Sequence, residues 1–346
     1  MLTKVIAQAN VDHAEKWFEK AEKIVIVSHV SPDGDAIGSS LGLYHFLQTQ
    51  EKTVNVIVPN QFPDFLKWMP GAKDVIIYDR YKDFADRLIR EADVICCLDF
   101  NELKRIDTME EAVRNASARK MLVDHHLNPG NFADITISHP DISSTSELVF
   151  RLICRLGNFD DITREGAECI YTGMMTDTGG FTYNSNNREI YYIISELLSK
   201  GIDKDQIYRN TFNTHTEGRL RLMGYVLYEK MEIYRDFNSA LIWLTKEDQR
   251  KFQYRKGDTE GFVNMPLSMQ GIRFSCFLRE DTEKDMIKVS LRSVGDFPCN
   301  KVASDFFGGG GHLNASGGEV YGTMDEAISL FKQALIKYED QLLGKK

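Results

Sequence analysis

Residues 23 to 40 read KIVIVSHVSPDGDAIGSS, an apolar run that ends in one histidine and two aspartates within seven positions. His29 closes the run, Asp33 and Asp35 follow in a loop, and a helical pattern begins near Ala36. Burying an imidazole and two carboxylates together is expensive unless something cationic sits among them. Working outward, short β-branched runs recur at KIVIVSH (23 to 29), TVNVIVP (53 to 59), DVIIYD (74 to 79), DVICCLD (93 to 99) and KMLVDHH (120 to 126). Between them lie AIGSSLGLYHFLQTQ, YKDFADRLIREA and a stretch through 102 to 116, each with helical spacing. Strands that are apolar almost throughout, separated by helices, predict an α/β fold. Its sheet is doubly wound and mostly parallel, with helices on both faces.

The pattern then becomes helical. Ser144 followed by Glu147 in SSTSELVFRLICRLG fits a capping box, and TREGAECIYTGMMTDTG is a helix that ends in glycines. NREIYYIISELLSKG and EGRLRLMGYVLYEKMEIY read as connecting helices, after which NSALIWLT, IRFSCFLRE and MIKVSLRS are strands of a second sheet, closed by the helix TMDEAISLFKQALIKYEDQLL. The expected division is therefore a first domain over 1–190, a helical linker over 191–235 and a smaller α/β domain with a mixed sheet over 236–346. A chain of 346 residues is long enough for two such cores.

The first twenty residues, MLTKVIAQANVDHAEKWFEK, are patterned as an amphipathic helix and not as a signal peptide. No apolar run reaches membrane-spanning length, so the expected location is cytoplasmic with no membrane partner. The six cysteines lack metal-ligand spacing and read as buried free thiols. A formal net charge of −9 argues against a long basic channel, so no stable binding of long duplexes is expected.

Polar residues gather where an open α/β sheet places its ligands, beyond the carboxyl ends of the strands. Asp99 closes DVICCLD, Asp124, His125 and His126 close KMLVDHH, and Asp177 sits in TDTGG at a helix end. Singly each has a plain structural account: Asp33 as an Asx turn, Asp35 or Asp99 as a helix cap, the histidines as solvated loop residues. Together they are costly without metal. Two divalent ions sharing a carboxylate are the economical solution. Ligation rich in carboxylate and free of thiolate favours Mn²⁺, with Mg²⁺ or Co²⁺ as alternatives. Paired ions roughly 3.5–4 Å apart suit phosphoester hydrolysis.

A second motif, FFGGGGHLNASGG, spans residues 306 to 318. Four consecutive glycines, Gly308, Gly309, Gly310 and Gly311, cost backbone entropy and have no evident packing role, but offer backbone N–H groups to an anion. His312 follows them, and Arg292 in SLRS is placed for a bidentate phosphate contact. The aromatic residues Phe181, Tyr183, Tyr191 and Tyr192 read as packing, and Met174 and Met175 as helix core.

HVSPDGDAIGS, the aspartate of CCLDF, VDHH, TGMMTDTGGF and GGGGHLNASGG, in this order from residue 29 to 318, resemble the DHH phosphoesterase family. The likeness is greatest to the subgroup with a DHH-associated C-terminal domain, the oligoribonucleases that also dephosphorylate 3'-phosphoadenosine 5'-phosphate. The resemblance implies that His29, Asp33, Asp99 and Asp177 surround one Mn²⁺, and Asp35, Asp99, His125 and Asp177 the other. It implies attack by a hydroxide shared between the ions, with His126 facing the scissile phosphate and Asp124 orienting the histidines. It further implies that Arg292, Ser293, Gly308 to Gly311 and His312 hold the far end of the substrate across an interdomain cleft. The expected partners are short RNA or linear dinucleotides and 3'-phosphoadenosine 5'-phosphate, and a homodimer is compatible with the resemblance. Family II pyrophosphatases, single-strand exonucleases and cyclic dinucleotide phosphodiesterases are the enzymatic alternatives. A nucleotide-binding regulatory module is the alternative outside enzymes, and the intact ligand set counts against it.

Overall fold

The computed structural model describes residues 3–344. Met1 and Leu2, at the head of the expected N-terminal helix, lie outside them, as do Lys345 and Lys346 at the end of the expected second domain. The chain forms two compact units, residues 1–214 and 215–346.

In the first unit, α1 (Gln8–Lys20) buries Val11, Ala14 and Phe18 at helical spacing. There follow β1 (Lys23–Val27), α2 (Gly34–Thr49), β2 (Thr53–Val58), β3 (Ile76–Ile77), α3 (Lys82–Glu91), β4 (Val94–Leu98), α4 (Glu110–Asn115), β5 (Arg119–Asp124) and β6 (Ile135–Ser138). The unit ends with α5 (Thr145–Arg155), α6 (Arg164–Asp177), α7 (Arg188–Ser199) and α8 (Lys204–Phe212). Among the described residues the strands make a six-stranded sheet in the order β3-β2-β1-β4-β5-β6, every neighbouring pair parallel. Alternate residues feed two cores. Ile24, Ile26, Cys96 and Leu98 enter one with α2, α5 and α6, while Val25, Val27, Ile95 and Cys97 enter the other with α3 and α4. The sheet is thus doubly wound, and its order reverses between β1 and β4, where such folds open a crevice at the carboxyl ends of the strands.

Several local expectations are corrected. The strand over DVIIYD shrinks to two residues. The stretch 102–116 is a 3-10 segment, Leu103–Met109, then α4, because Asp107 takes φ 44. β6 was not anticipated, since four residues of one strand carry little periodicity. Ser144 caps α5 through the Glu147 amide, but the Glu147 carboxylate turns instead to the N–H and hydroxyl of Ser143 and to Arg151. Nor do residues 191–235 form a separate linker: Ile193, Leu197, Ile202 and Ile207 bury in the first unit's core, whereas Leu222 and Val226 bury in the second's.

The second unit comprises α9 (Glu217–Glu229), β7 (Met231–Tyr234), β8 (Ser239–Leu244), α10 (Lys246–Lys251), β9 (Phe274–Glu280), β10 (Ile287–Ser293), α11 (Cys299–Phe306), β11 (Gly310–Gly311), β12 (Ala315–Val320), α12 (Met324–Lys337) and α13 (Glu339–Leu342). Its sheet order is β11-β12-β10-β9-β8-β7; β8 and β9 run parallel and the other pairs antiparallel, which makes the sheet mixed. The helix expected through residue 234 stops at Glu229, and MEIY becomes an edge strand. Five cysteines are buried and Cys154 is half-buried, all as free thiols.

Candidate metal centre

Three parallel strands deliver their polar ends to one place. His29 and Asp99 lie just beyond β1 and β4, the pair that flanks the switch point, and Asp124 ends β5 with His125 and His126 behind it. Asp33 caps α2, its Oδ1 accepting the amides of Asp35 and Ala36 at 3.0 Å each, so the cap and the cluster are served by one carboxylate. Asp177 arrives from the far side because α2 and α6 cross closely. A Cβ on Gly38 would stand 2.7 Å from the Cys169 carbonyl oxygen and 2.8 Å from the Gly173 Cα, so only glycine permits the approach. The crossing brings the last turn of α6 beside the first turn of α2, where Gly34 lies against Thr176.

His29 Nε2 is 3.4 Å from Asp99 Oδ2 and 3.8 Å from Asp33 Oδ1. His125 Nε2 is 3.4 Å from Asp177 Oδ2, 3.6 Å from Asp99 Oδ1 and 4.0 Å from Asp35 Oδ2. Asp99 therefore turns one oxygen to each imidazole. Backbone carbonyls hold the opposite ring nitrogens, Val30 at 2.9 Å from His29 Nδ1 and Ile142 at 3.2 Å from His125 Nδ1. With Nδ1–H donating there, each Nε2 lone pair points into the cluster, the tautomer that metal ligation needs. His126 Nδ1 lies 2.7 Å from Asp124 Oδ1.

The electrostatics fit a cation. Asp35 and Asp99 are 1% and 2% exposed, and Asp124 is fully buried. Burial drives the Asp99 carboxyl well above the ordinary carboxylate range, and the carboxylates of Asp35, Asp33, Asp177 and Asp124 push the same way. Burial likewise raises Asp35, against the pull of His125 and Ser146, and lowers His29. Among the described residues, Asp124 Oδ2 is buried with no hydrogen-bond partner. Within each of the sets His29–Asp33–Asp99, Asp35–His125–Asp177 and Asp99–Asp124–His126, the donor atoms lie within 4.8 Å of one another. Imidazole and carboxylate donors at this density suit divalent ions that take nitrogen and oxygen ligands.

Sequence reasoning missed Thr145 and Ser146. The Thr145 and Ser146 amides donate to Asp35 at 2.6 and 2.9 Å, and the Thr145 hydroxyl donates to Asp99 Oδ1 at 2.9 Å. The capping signal at Ser144 located this helix start but not its target. Of the aromatic residues expected to pack, Phe181 does so against Tyr171, whereas Tyr183, Tyr191 and Tyr192 are exposed.

In the second unit, strand register pairs Arg292 with Ala315 and Gly311 with Ser316, which gathers Arg292 and the glycine run at one end of the sheet. The run has a packing role after all. A Cβ on Gly309 would stand 1.8 Å from the Gly317 carbonyl oxygen, and the Gly309 amide donates to Ala303. Gly310 differs: among the described residues nothing lies within 4 Å of an added Cβ. Gly308, at φ 58, is equally open. The His312 amide donates to Ala315, and Arg292 Nη1 donates to the Leu291 carbonyl. Ser293 is buried, its hydroxyl donating to Phe297 and accepting from Asn314, so it serves the turn in which it sits.

A family model described as the N-terminal domain of the DHH family matches residues 23–174, and one for the DHHA1 domain matches 237–338. The chain is 30% identical over 315 residues to the bifunctional oligoribonuclease and PAP phosphatase NrnA of Thermus thermophilus, covering 90% of this chain and 89% of that protein. A crystal structure of an exopolyphosphatase-related protein from Bacteroides fragilis is 74% identical, with a TM-score of 0.96 over 99% of both chains. RecJ from Thermus thermophilus in complex with Mn²⁺ shares the fold at 12% identity and a TM-score of 0.56, covering 97% of this chain and 55% of that one.

Proposed function

The chain belongs to the DHH family of phosphoesterases, and on that premise we propose that it hydrolyses very short oligoribonucleotides or linear dinucleotides to mononucleotides. It also removes the 3'-phosphate of 3'-phosphoadenosine 5'-phosphate. The observation that carries this reading is the split of Asp99, one oxygen toward His29 and the other toward His125, on a chain similar to NrnA along nearly its whole length.

In this reading His29, Asp33, Asp99 and Asp177 hold one divalent ion, and Asp35, Asp99, His125 and Asp177 hold the other. Mn²⁺ is the expected metal, with Mg²⁺ or Co²⁺ able to replace it. When bound, the ions supply Lewis-acid polarisation of the phosphoryl group and a more acidic water. The protein's part is orientation: the Val30 and Ile142 carbonyls fix the imidazole tautomers, and Asp124 steers His126 to a phosphoryl oxygen. Arg292, His312 and the open backbone at Gly308 and Gly310 hold the substrate in the second unit, and Ser293 braces that turn. The net charge of −9 favours short substrates over long strands.

A second reading, removal of terminal phosphate from linear polyphosphate, is favoured by the description of the Bacteroides fragilis structure as exopolyphosphatase-related. A turnover panel with Mn²⁺ decides. It compares pApA, an RNA five-mer, a long RNA, cyclic di-AMP, 3'-phosphoadenosine 5'-phosphate, pyrophosphate and short polyphosphate. Fastest turnover of the short linear nucleotides and of 3'-phosphoadenosine 5'-phosphate is expected. Preference for polyphosphate selects the second reading, and preference for the long strand overturns the account of the second unit.

A further inference from the structure

We infer that Thr145 is a positioning residue, whose hydroxyl sets the plane of the Asp99 carboxylate so that each of its oxygens faces one half of the metal centre. The inference rests on the two-ion reading above. Asp99 sits at φ 65, a left-handed conformation that residues other than glycine rarely take, and its side chain is buried among other carboxylates that repel it. Sharing Asp99 between two ions requires one particular rotation of its carboxylate. Oδ2 must stay at His29 and Oδ1 at His125, as the distances of 3.4 and 3.6 Å record. A turn about the Cβ–Cγ bond would swing both oxygens off these directions. The Thr145 hydroxyl, 2.9 Å from Oδ1 and fully buried, is the donor that resists it.

The same helix start presets the neighbouring ligand. The first amides of a helix have no partner within it and favour negative charge. Those of Thr145 and Ser146 each take one oxygen of Asp35, fixing that carboxylate as well. The helix start is itself anchored. Ser144 accepts the Glu147 amide at 3.1 Å, and Glu147 Oε1 receives Arg151 Nε at 2.9 Å and Nη2 at 2.7 Å. Arg151 Nη2 also reaches Glu189 at 2.9 Å, and its Nη1 donates to the Thr3 carbonyl at 3.2 Å. Arg151 and Glu147 are buried, so this brace is shielded from water and salt. The placement of Asp35 and Asp99 is thereby referred to a rigid element and not left to two free side chains.

The test separates the hydroxyl from the bulk of the side chain. Thr145→Val keeps the shape and removes the donor; Thr145→Ser keeps the donor and removes a methyl group. Mn²⁺ is titrated calorimetrically into each metal-free protein below its melting temperature. Removing a group that orients metal ligands weakens metal binding about 10- to 100-fold, and that loss is expected for valine with near-wild-type affinity for serine. Should the valine variant not fold, Thr145→Ala against Thr145→Ser reads the same contrast. Unchanged Mn²⁺ affinity without the hydroxyl, or an equal loss in the serine variant, overturns the inference while wild-type binding of two ions leaves the two-ion reading standing. Failure of the wild-type protein to take up Mn²⁺ overturns both.

Discussion

The carboxylate cluster of the first unit and the glycine run of the second are both compact motifs, yet the fold treats them oppositely. Asp35 and Asp99 are buried where their charge is disfavoured, and among the described residues Asp124 keeps an oxygen without a hydrogen-bond partner. The hydrogen bonds that Asp35 and Asp99 accept from the start of α5 do not lift that burial cost, so their presence points to a cation. Gly309 instead lies so close to Gly317 that a larger residue there must displace the backbone of the second sheet. Most of that motif is needed by the protein itself, while Gly308 and Gly310 open onto space among the described residues. A motif that strains the fold speaks of a ligand; one that the fold needs speaks first of packing.

Asp99→Asn breaks the comparison most sharply. Turnover of every substrate should fall by on the order of 10³-fold or more, as when one member of a catalytic unit is lost. The metal-free variant should nevertheless melt higher than metal-free wild type. A buried carboxyl whose folded pKa is raised destabilises the fold at any pH above its unfolded value, and a neutral amide removes that penalty. Asparagine also tolerates the left-handed backbone at this position. A lower melting temperature in the variant would show that Asp99 is structural.

Chelation comes next in size. Mn²⁺ at a hundred times its dissociation constant stabilises the folded state by about 2.7 kcal/mol per site, so a chelator should lower the wild-type melting temperature and leave Asp99→Asn nearly unmoved. In the second unit, Gly309→Ala should destabilise by about 1–3 kcal/mol through overpacking. Gly310→Ala should stay within about 0.5 kcal/mol of wild type, while raising KM for dinucleotides. Equal stability losses in a chemical denaturation series would erase the distinction drawn between the two glycines. The smallest effect is expected from His312→Ala, which should weaken cleavage of a dinucleotide more than that of bis-p-nitrophenyl phosphate. Equal losses would move His312 into the chemistry.

The sequence made the sheet legible because β4 is apolar throughout, β1 and β5 carry apolar runs after short basic starts, and all three lead into residues that no core accommodates. It also made the cluster legible, since His29, Asp99 and His125 fall at strand ends where topology must gather them. The remainder is carried by features without a side-chain signature. Thr145 and Ser146 meet Asp35 through backbone amides, which any residue but proline could supply, so only the folded structure reveals the contact. The close crossing of α2 and α6 depends on Gly38 meeting Gly173, two residues more than a hundred positions apart. β11 and β12 lay hidden in a glycine-rich stretch that lacks the branched residues by which strands are recognised.

Crystals of the protein soaked with Mn²⁺ and measured at the manganese absorption edge test the central claim most directly. The account predicts two anomalous peaks roughly 3.5–4 Å apart. One should touch His29 and Asp33, the other Asp35 and His125, with Asp99 between them. A single peak, or none at these residues in an active preparation, would contradict it.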